Sequence, residues 1–432
     1  MLSYHKYDQD AETKLFLKRT ERILFILILL MVACFFTWSE NVAITRLIKV
    51  VGRLGVMTGA ILLYFNIVKN RAVDTLEWKN QGSYLLYVGY LTLGFASFMW
   101  STNVGYSALQ WFMTTQTLVF SYYFVKSVRL LDTYIPGHGI RLTKLTGNTA
   151  FVLLMVFVIG KFAAPDIFFR LTHGGEEARL GGYMMNPNEL GMLAGVGLAC
   201  QIAELYYAGR KGWLVVTILV MTYALIETGS RSSLIGVLAV ILFHVFQSDR
   251  TQVKAVIIVS MLIVTPPAIW KVVLKDGDPE RMEEIMSMTG RLPFWKALIT
   301  EGLPREPWLG FGFMRIDYKE YFQSTHTYPG KMTHNTFMQV LMNLGFVGLT
   351  LVLSQLFFTL RGMYYEDKGN KLFMVGLFIP ILINSFTEFG IFGESNYGIL
   401  FYQLIIMSMT FANRQFLTKQ EKIQLQRIGH IK

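Results

Sequence analysis

Apolar residues fall along this chain in long blocks rather than in the 3.6-residue stripe of a surface helix, and blocks of about 18 residues cross a bilayer as helices. Twelve blocks are predicted as spans, near 22–39, 46–68, 83–100, 105–125, 148–164, 187–207, 213–227, 231–247, 253–270, 334–360, 372–388 and 395–412. The first follows a charged stretch and has no small-residue cleavage site after it, so it reads as a retained helix and not as a signal peptide. The prediction is an all-α polytopic membrane protein, a single integral membrane domain over 1–432 with no internal repeat. A large outer loop, 271–333, separates spans nine and ten, and 161–186 is the next longest outer segment.

That loop is patterned as folded chain lying over the outer membrane face. Asp278 and Pro279 look like an N-cap and first helical position, opening a helix to about Met288. A second helix start follows at Thr289 to Pro293, with LPFWKALI as its body and Gly302 beyond its end. The paired glycines of LGFGF, Leu309 to Phe313, read as a turn.

Charge orients the spans. With the N-terminus inside, the inner segments and their flanks hold 24 of the 40 Lys and Arg but 12 of the 29 Asp and Glu. Both termini are therefore expected on the cytoplasmic side. The formal charge of +11 is spread over inner loops without a basic-aromatic platform, which argues against nucleic acid as a partner. Composition agrees with the bilayer: 53% hydrophobic with 16% charged residues is too apolar for a soluble domain. Cys34 and Cys200 fall inside apolar spans, are expected in the core, and imply no disulfide framework.

Chemistry-bearing residues collect on the outer side. In TGSRSS, Thr228 to Ser233, Arg231 lies at a helix N-terminus, where guanidinium and amides suit an anion; the alternative is an arginine snorkelling to the interface. Arg291 in TGRLPFW precedes another helix start and could share a phosphate with its first-turn amides, or be a solvated loop arginine. His334, with Asn335, stands at the mouth of the tenth span as a base or as a capping imidazole. NPNELG, Asn186 to Gly191, is a turn and helix start just after Arg179. Arg46, Lys49 and Arg53 share one face of the second span, where they could hold a lipid's diphosphate, unless the span begins later and the stripe is interfacial. Gly191 with Gly195, and Gly55 with Gly59, are small-residue pairs expected to allow close helix packing. No HExxH, paired-Asp motif or Gly-rich phosphate loop appears, so neither a metal nor a nucleotide cofactor is called for.

In order and side, these segments resemble the O-antigen ligase and polymerase superfamily of bacterial envelope glycosyltransferases. The resemblance runs from NPNELG through SRSS, GRLPFW and LGFGF to His334-Asn335, nine residues, then GFVG, and covers roughly 160–360 by motif. It implies a glycosyltransferase C-like fold of about twelve spans in the bacterial inner membrane, acting at the outer face. It implies transfer of a glycan from polyprenyl diphosphate without a metal. By residue it carries phosphate-binding roles onto Arg231 and Arg291 and the base onto His334. Arg179, Asn188 and Asn335 are weaker carry-overs to substrate binding.

The acceptor stays open. A polymerase extends a lipid-linked glycan; a ligase moves the glycan to another acceptor such as a lipid A core. Arg170 to Gly181 and Arg291 to Gly302 each show Arg, ten residues, Gly, which resembles a polymerase pattern, whereas the His-Asn element resembles the ligase form as well. Polymerase is the leading expectation, ligase the alternative, and a lipid-glycan transporter the reading from another class. A polymerase of this kind also implies partners such as a chain-length regulator or other polysaccharide-assembly proteins.

Overall fold

A computed structural model of the chain describes residues 11–70, 74, 76–134, 140–172, 177–208, 212–247, 291–313, 333–388 and 390–413, with Ala255, Ile258, Pro266 and Ile423 as isolated positions. Apart from those isolated positions, the expected span at 253–270 lies outside the described residues, as does the helix expected from Asp278 to Met288. His326, a second histidine eight residues before His334, lies outside them as well.

Helices occupy the other predicted spans. In chain order they are α1 (Ala11–Ala33), α2 (Val42–Leu47) running through a π-helical turn (Ile48–Gly52) into α3 (Arg53–Asn70), α4 (Gln81–Ala96), α5 (Val104–Tyr134), α6 (Leu142–Ala163) and a short α7 (Pro165–Phe168). There follow α8 (Pro187–Ala208), α9 (Gly212–Thr228), α10 (Arg231–Gln247), the loop helix α11 (Arg291–Ala297) with a π-helical turn (Leu298–Gly302), α12 (Thr336–Tyr364), α13 (Lys368–Ser385) and α14 (Tyr397–Thr410). Among the described residues, three helices, Val42–Lys69, Leu142–Ala163 and Thr336–Tyr364, are long and apolar enough to cross a membrane, and four shorter ones are apolar.

Hydrophobicity alone misplaces some ends. α1 begins well before the apolar block because Glu12, Lys14, Lys18, Arg19 and Glu21 are good helix formers that extend it by about three turns. α13 stops at Ser385, so Glu388, which the span 372–388 would include, lies beyond the helix in the link to α14. Two small sheets depart from the all-helical expectation. β1 (Leu76–Trp78) pairs antiparallel with β4 (Phe411–Asn413), with Trp78 opposite Phe411. β2 (Phe169–Thr172) pairs with β3 (Glu177–Leu180), with Arg170 opposite Arg179. Both form where chain leaves a helix and its freed backbone groups need partners.

The core lies along α14. Each of its residues is buried, as a helix apolar on all sides requires. Around it α4 packs on α12, α6 on α8, α10 on α13 and α3 on α5. Cys34 and Cys200 are free and buried, as expected. A Cβ at Gly191 would meet Ser230 and one at Gly59 would meet Leu27, so close packing is real there, but nothing lies within 4 Å at Gly55.

The loop enters the bundle at one joint. α12 is interrupted at Gly345, whose φ of 61° and ψ of −161° are open to glycine alone. The backbone of 307–312 fills the break: Phe311 N donates to Met342 O at 3.0 Å, Gly312 N to Asn343 O at 2.8 Å, and Phe346 N to Pro307 O at 2.8 Å. A Cβ at Gly345 would lie 2.3 Å from the Trp308 carbonyl, and one at Gly310 2.5 Å from Asn343 C. Beyond the joint, Phe313 is buried against Gly94 and Tyr90 of α4.

Candidate active site

The break leaves Thr336 to Leu344 as a half-helix, and its N-terminus carries the two residues of the sequence motif. Asn335 is the N-cap; its Oδ1 accepts from Phe337 N (2.9 Å) and Met338 N (3.0 Å), and its Nδ2 donates to Phe386 O (3.2 Å). His334, one residue earlier, sits at φ 48°, a left-handed conformation that costs a non-glycine residue about 1–2 kcal/mol. It is held there from two sides. Trp295 Nε1 of α11 donates to the Thr333 carbonyl at 2.7 Å, and the His334 ring bonds across to the α13–α14 link.

That ring bond ends on Glu388. Its Oε2 is 2.6 Å from His334 Nδ1; its Oε1 accepts from Arg291 Nη2 (2.8 Å) and from Asn188 Nδ2 (2.7 Å). Arg291 Nη1 also donates to the Thr387 carbonyl. Glu388 is 5% exposed, and burial by itself would push its carboxyl up. His334, Arg291 and the Asn188 amide outweigh that and hold it down to about 2, so it is ionised at neutral pH. A carboxylate only accepts, so Nδ1 carries the ring proton and the lone pair of a neutral His334 is on Nε2.

The network extends to the β2–β3 hairpin. Arg179 Nη2 donates to Asn188 Oδ1 at 2.6 Å and its Nε to the Thr228 carbonyl at 2.7 Å. Asn188 sits in the first turn of α8, with Pro187 ahead of it and the Asn186 side chain accepting from its backbone N at 2.9 Å. Arg179 lies against Gly229, two residues before Arg231. Arg231 is the first residue of α10 and half-exposed, while its neighbours Ser232 and Ser233 fasten that helix end to Asn384 of α13 at 3.0 and 3.3 Å.

Four of the sequence-selected side chains, Arg179, Asn188, Arg291 and His334, thus join in one bonded network, with Arg231 beside it and Asn335 beneath it. The fifth member, Glu388, was not foreseen. Its signal was a carboxylate, one of two with Glu394, in the short link FTEFGIFGESN between two apolar blocks. The Arg46, Lys49 and Arg53 stripe reaches the same link at another point. Arg46 is exposed, Lys49 half-buried, and Arg53 1% exposed with Nη1 donating to Ser395 Oγ at 2.8 Å. The two Arg-x10-Gly stretches share no structure: the first is the hairpin, in which Arg179 rather than Arg170 turns inward, and the second is α11 with its π-helical turn.

Residues 216–353 match the family model described as O-Antigen ligase. The match runs from α9 into α12 and takes in Arg231, Arg291, His334, Asn335 and the Gly345 break, while Arg179, Asn188 and Glu388 lie outside it. No curated protein matches the chain.

Proposed function

We propose that this chain, whose residues 216–353 match the family model described as O-Antigen ligase, is a metal-independent inverting glycosyltransferase. Its donor is a glycan on polyprenyl diphosphate and its acceptor a sugar hydroxyl at the outer face of a bacterial inner membrane. The observation that carries the reading is the Glu388–His334 pair, a buried carboxylate that fixes the imidazole with Nε2 as the basic nitrogen. The charge alternation of the loops supports the outer location.

The chemistry follows from the groups. The acceptor hydroxyl gives its proton to His334 Nε2 as its oxygen attacks the anomeric carbon. The bond from that carbon to the diphosphate oxygen breaks, and the leaving diphosphate takes the electron pair. Attack from the opposite face inverts the centre. Arg231, at a helix N-terminus, and Arg291 and Arg179 beside it supply the positive field in which a diphosphate departs, the part a metal plays elsewhere. Glu388 keeps His334 oriented and stabilises the imidazolium that forms.

The acceptor in this proposal is a second lipid-linked glycan, which makes the enzyme a polymerase of O-antigen or another surface polysaccharide. The second reading, a ligase acting on a lipid A core, is favoured by the description of the matched family. Reconstitution with a purified polyprenyl-diphosphate glycan as sole substrate tests both. A ladder that disappears in His334→Ala supports the polymerase. Product only on adding a lipid A core supports the ligase. Turnover unchanged in both His334→Ala and Arg291→Ala overturns the site.

A further inference from the structure

Among the described residues, Arg53 is a buried cation without an ion-pair partner. It is 1% exposed, at the start of α3, and no carboxylate lies within ion-pair distance of it among the described residues. Its guanidinium donates one bond to Ser395 Oγ and lies 3.7 Å over the Phe35 ring, and its Nε has no partner. Withdrawing a guanidinium from water without a counter-ion is costly, and a protein that keeps one there has a ligand to meet it.

The surroundings indicate which ligand. One turn before Arg53 is Lys49, half-buried, whose electrostatic neighbours are Arg53, Glu189 and Glu394; before that is Arg46, exposed. The cations descend from the surface into the interior along one helix. Between them runs the π-helical turn Ile48–Gly52, and Gln116 Nε2 of α5 donates to the Val50 carbonyl within that turn at 3.2 Å. Such turns recur where a helix is reshaped for a site. Leu47 and Val51, flanking Lys49, are 61% and 54% exposed apolar residues, and this is the least buried of the three membrane-length helices. A phosphate that reaches Lys49 and Arg53 therefore arrives with an apolar tail lying along the same helix.

Ser395, which now holds Arg53, and Glu388, which holds His334, belong to one link, seven residues apart. The departing diphosphate has to lie at the carbon under attack, beside His334. Arg53 bonds Ser395 and His334 bonds Glu388, so the two groups hold the link at different residues, and a phosphate at Arg53 would serve as an anchor.

We propose that Arg46, Lys49 and Arg53 form a second lipid-phosphate station that holds the diphosphate of the lipid-linked acceptor, distinct from the donor's station at Arg231 and Arg291. This rests on the polymerase reading, and the test separates the two. The full chain in nanodiscs is titrated with a glycan-free long-chain prenyl diphosphate, and bound lipid is counted by native mass spectrometry. The expected result is a second equivalent that is lost in Lys49→Gln and in Arg53→Gln, its affinity falling about ten- to hundredfold, as loss of a charge-assisted hydrogen bond implies. His334→Ala keeps both equivalents, so failed catalysis does not imitate a failed station. Lys49→Gln alone carries the test if Arg53→Gln does not fold. Saturation at one equivalent, or a second equivalent untouched by Lys49→Gln, overturns the proposal. Displacement by phosphatidylglycerol makes it a bulk-lipid site, and displacement by inorganic pyrophosphate makes it a free-anion site; either outcome also overturns it.

Discussion

Both ends of this helix bundle bury charge, and they do so differently. Sixteen residues along α8 from Asn188, roughly 24 Å at 1.5 Å per residue, Glu204 takes Nε and Nη2 of Arg141 at 3.0 and 2.5 Å together with the Thr143 hydroxyl. Nearby in the chain's course, Asp74 accepts from Tyr64 at 2.7 Å and from Lys126, and β1 closes on β4. These groups are matched at close range and bind helix ends together. At the His334 end, Glu388 answers Arg291, His334 and, through Asn188, Arg179, and Arg231 follows two residues after Gly229, against which Arg179 lies. The backbone there is strained at His334 and interrupted at Gly345. One end closes its charges into bolts. The other gathers Arg291, His334 and, through Asn188, Arg179 about Glu388, with Glu189 of α8 as that carboxylate's electrostatic neighbour.

Substitutions that separate the two ends follow, in order of their effect on turnover. His334→Ala is expected to lower kcat about 10²–10⁴-fold, the usual worth of a general base. Glu388→Gln preserves shape but removes the charge that fixes the ring, and kcat is expected to fall about 10²-fold with KM for the donor little changed. Single-turnover rates with saturating donor measure both; a Glu388→Gln effect confined to KM would make the carboxylate a binding group. Gly345→Ala comes next. It places a side chain in a glycine-only conformation against the Trp308 carbonyl and is expected to cost about 2 kcal/mol or more. Because it unseats the half-helix under His334, the thermal midpoint and kcat should fall together.

Glu204→Gln is the counterpart at the other end. It removes the charge that pairs with Arg141 and turns one of the two accepting oxygens into a donor, and is expected to lower stability by about 1–3 kcal/mol while turnover stays within about twofold of wild type. A thermal-shift measurement beside the same rate assay checks it. A large loss of kcat without loss of stability would dissolve the distinction between the ends.

How legible each end was in the sequence follows from the same physics. Helix positions were readable because hydrophobicity is local, and the TGRLPFW helix start, the LGFGF turn and the Pro187 start of α8 were readable because their signals are local too. Glu388 was not, since its meaning depends on residues far apart in the chain converging on it. Nor was the role of Gly345: the spacing of the His-Asn element was visible, but not that 307–312 docks into a broken helix. The β2–β3 hairpin was missed because its strands are short and carry Arg170 and Arg179 rather than an alternating apolar face. The basic stripe was seen as one face, whereas the π-helical turn grades it from exposed Arg46 to buried Arg53.

The smallest expected effect concerns Asn335, and it decides between two roles for one side chain. Sequence suggested substrate binding; the structure gives its carbonyl oxygen to Phe337 N and Met338 N as a helix cap. A serine caps about as well as asparagine, whereas alanine removes the cap at about 1 kcal/mol. If capping is its work, Asn335→Ser should keep near-wild-type turnover and thermal midpoint, and Asn335→Ala should lower the midpoint with a few-fold loss of kcat as the half-helix start loosens beneath His334. If the amide touches the glycan, both variants lose kcat/KM alike while Asn335→Ser keeps its midpoint. The capping outcome is expected, because both amide groups of Asn335 already have protein partners, the Nδ2 donating to Phe386 O.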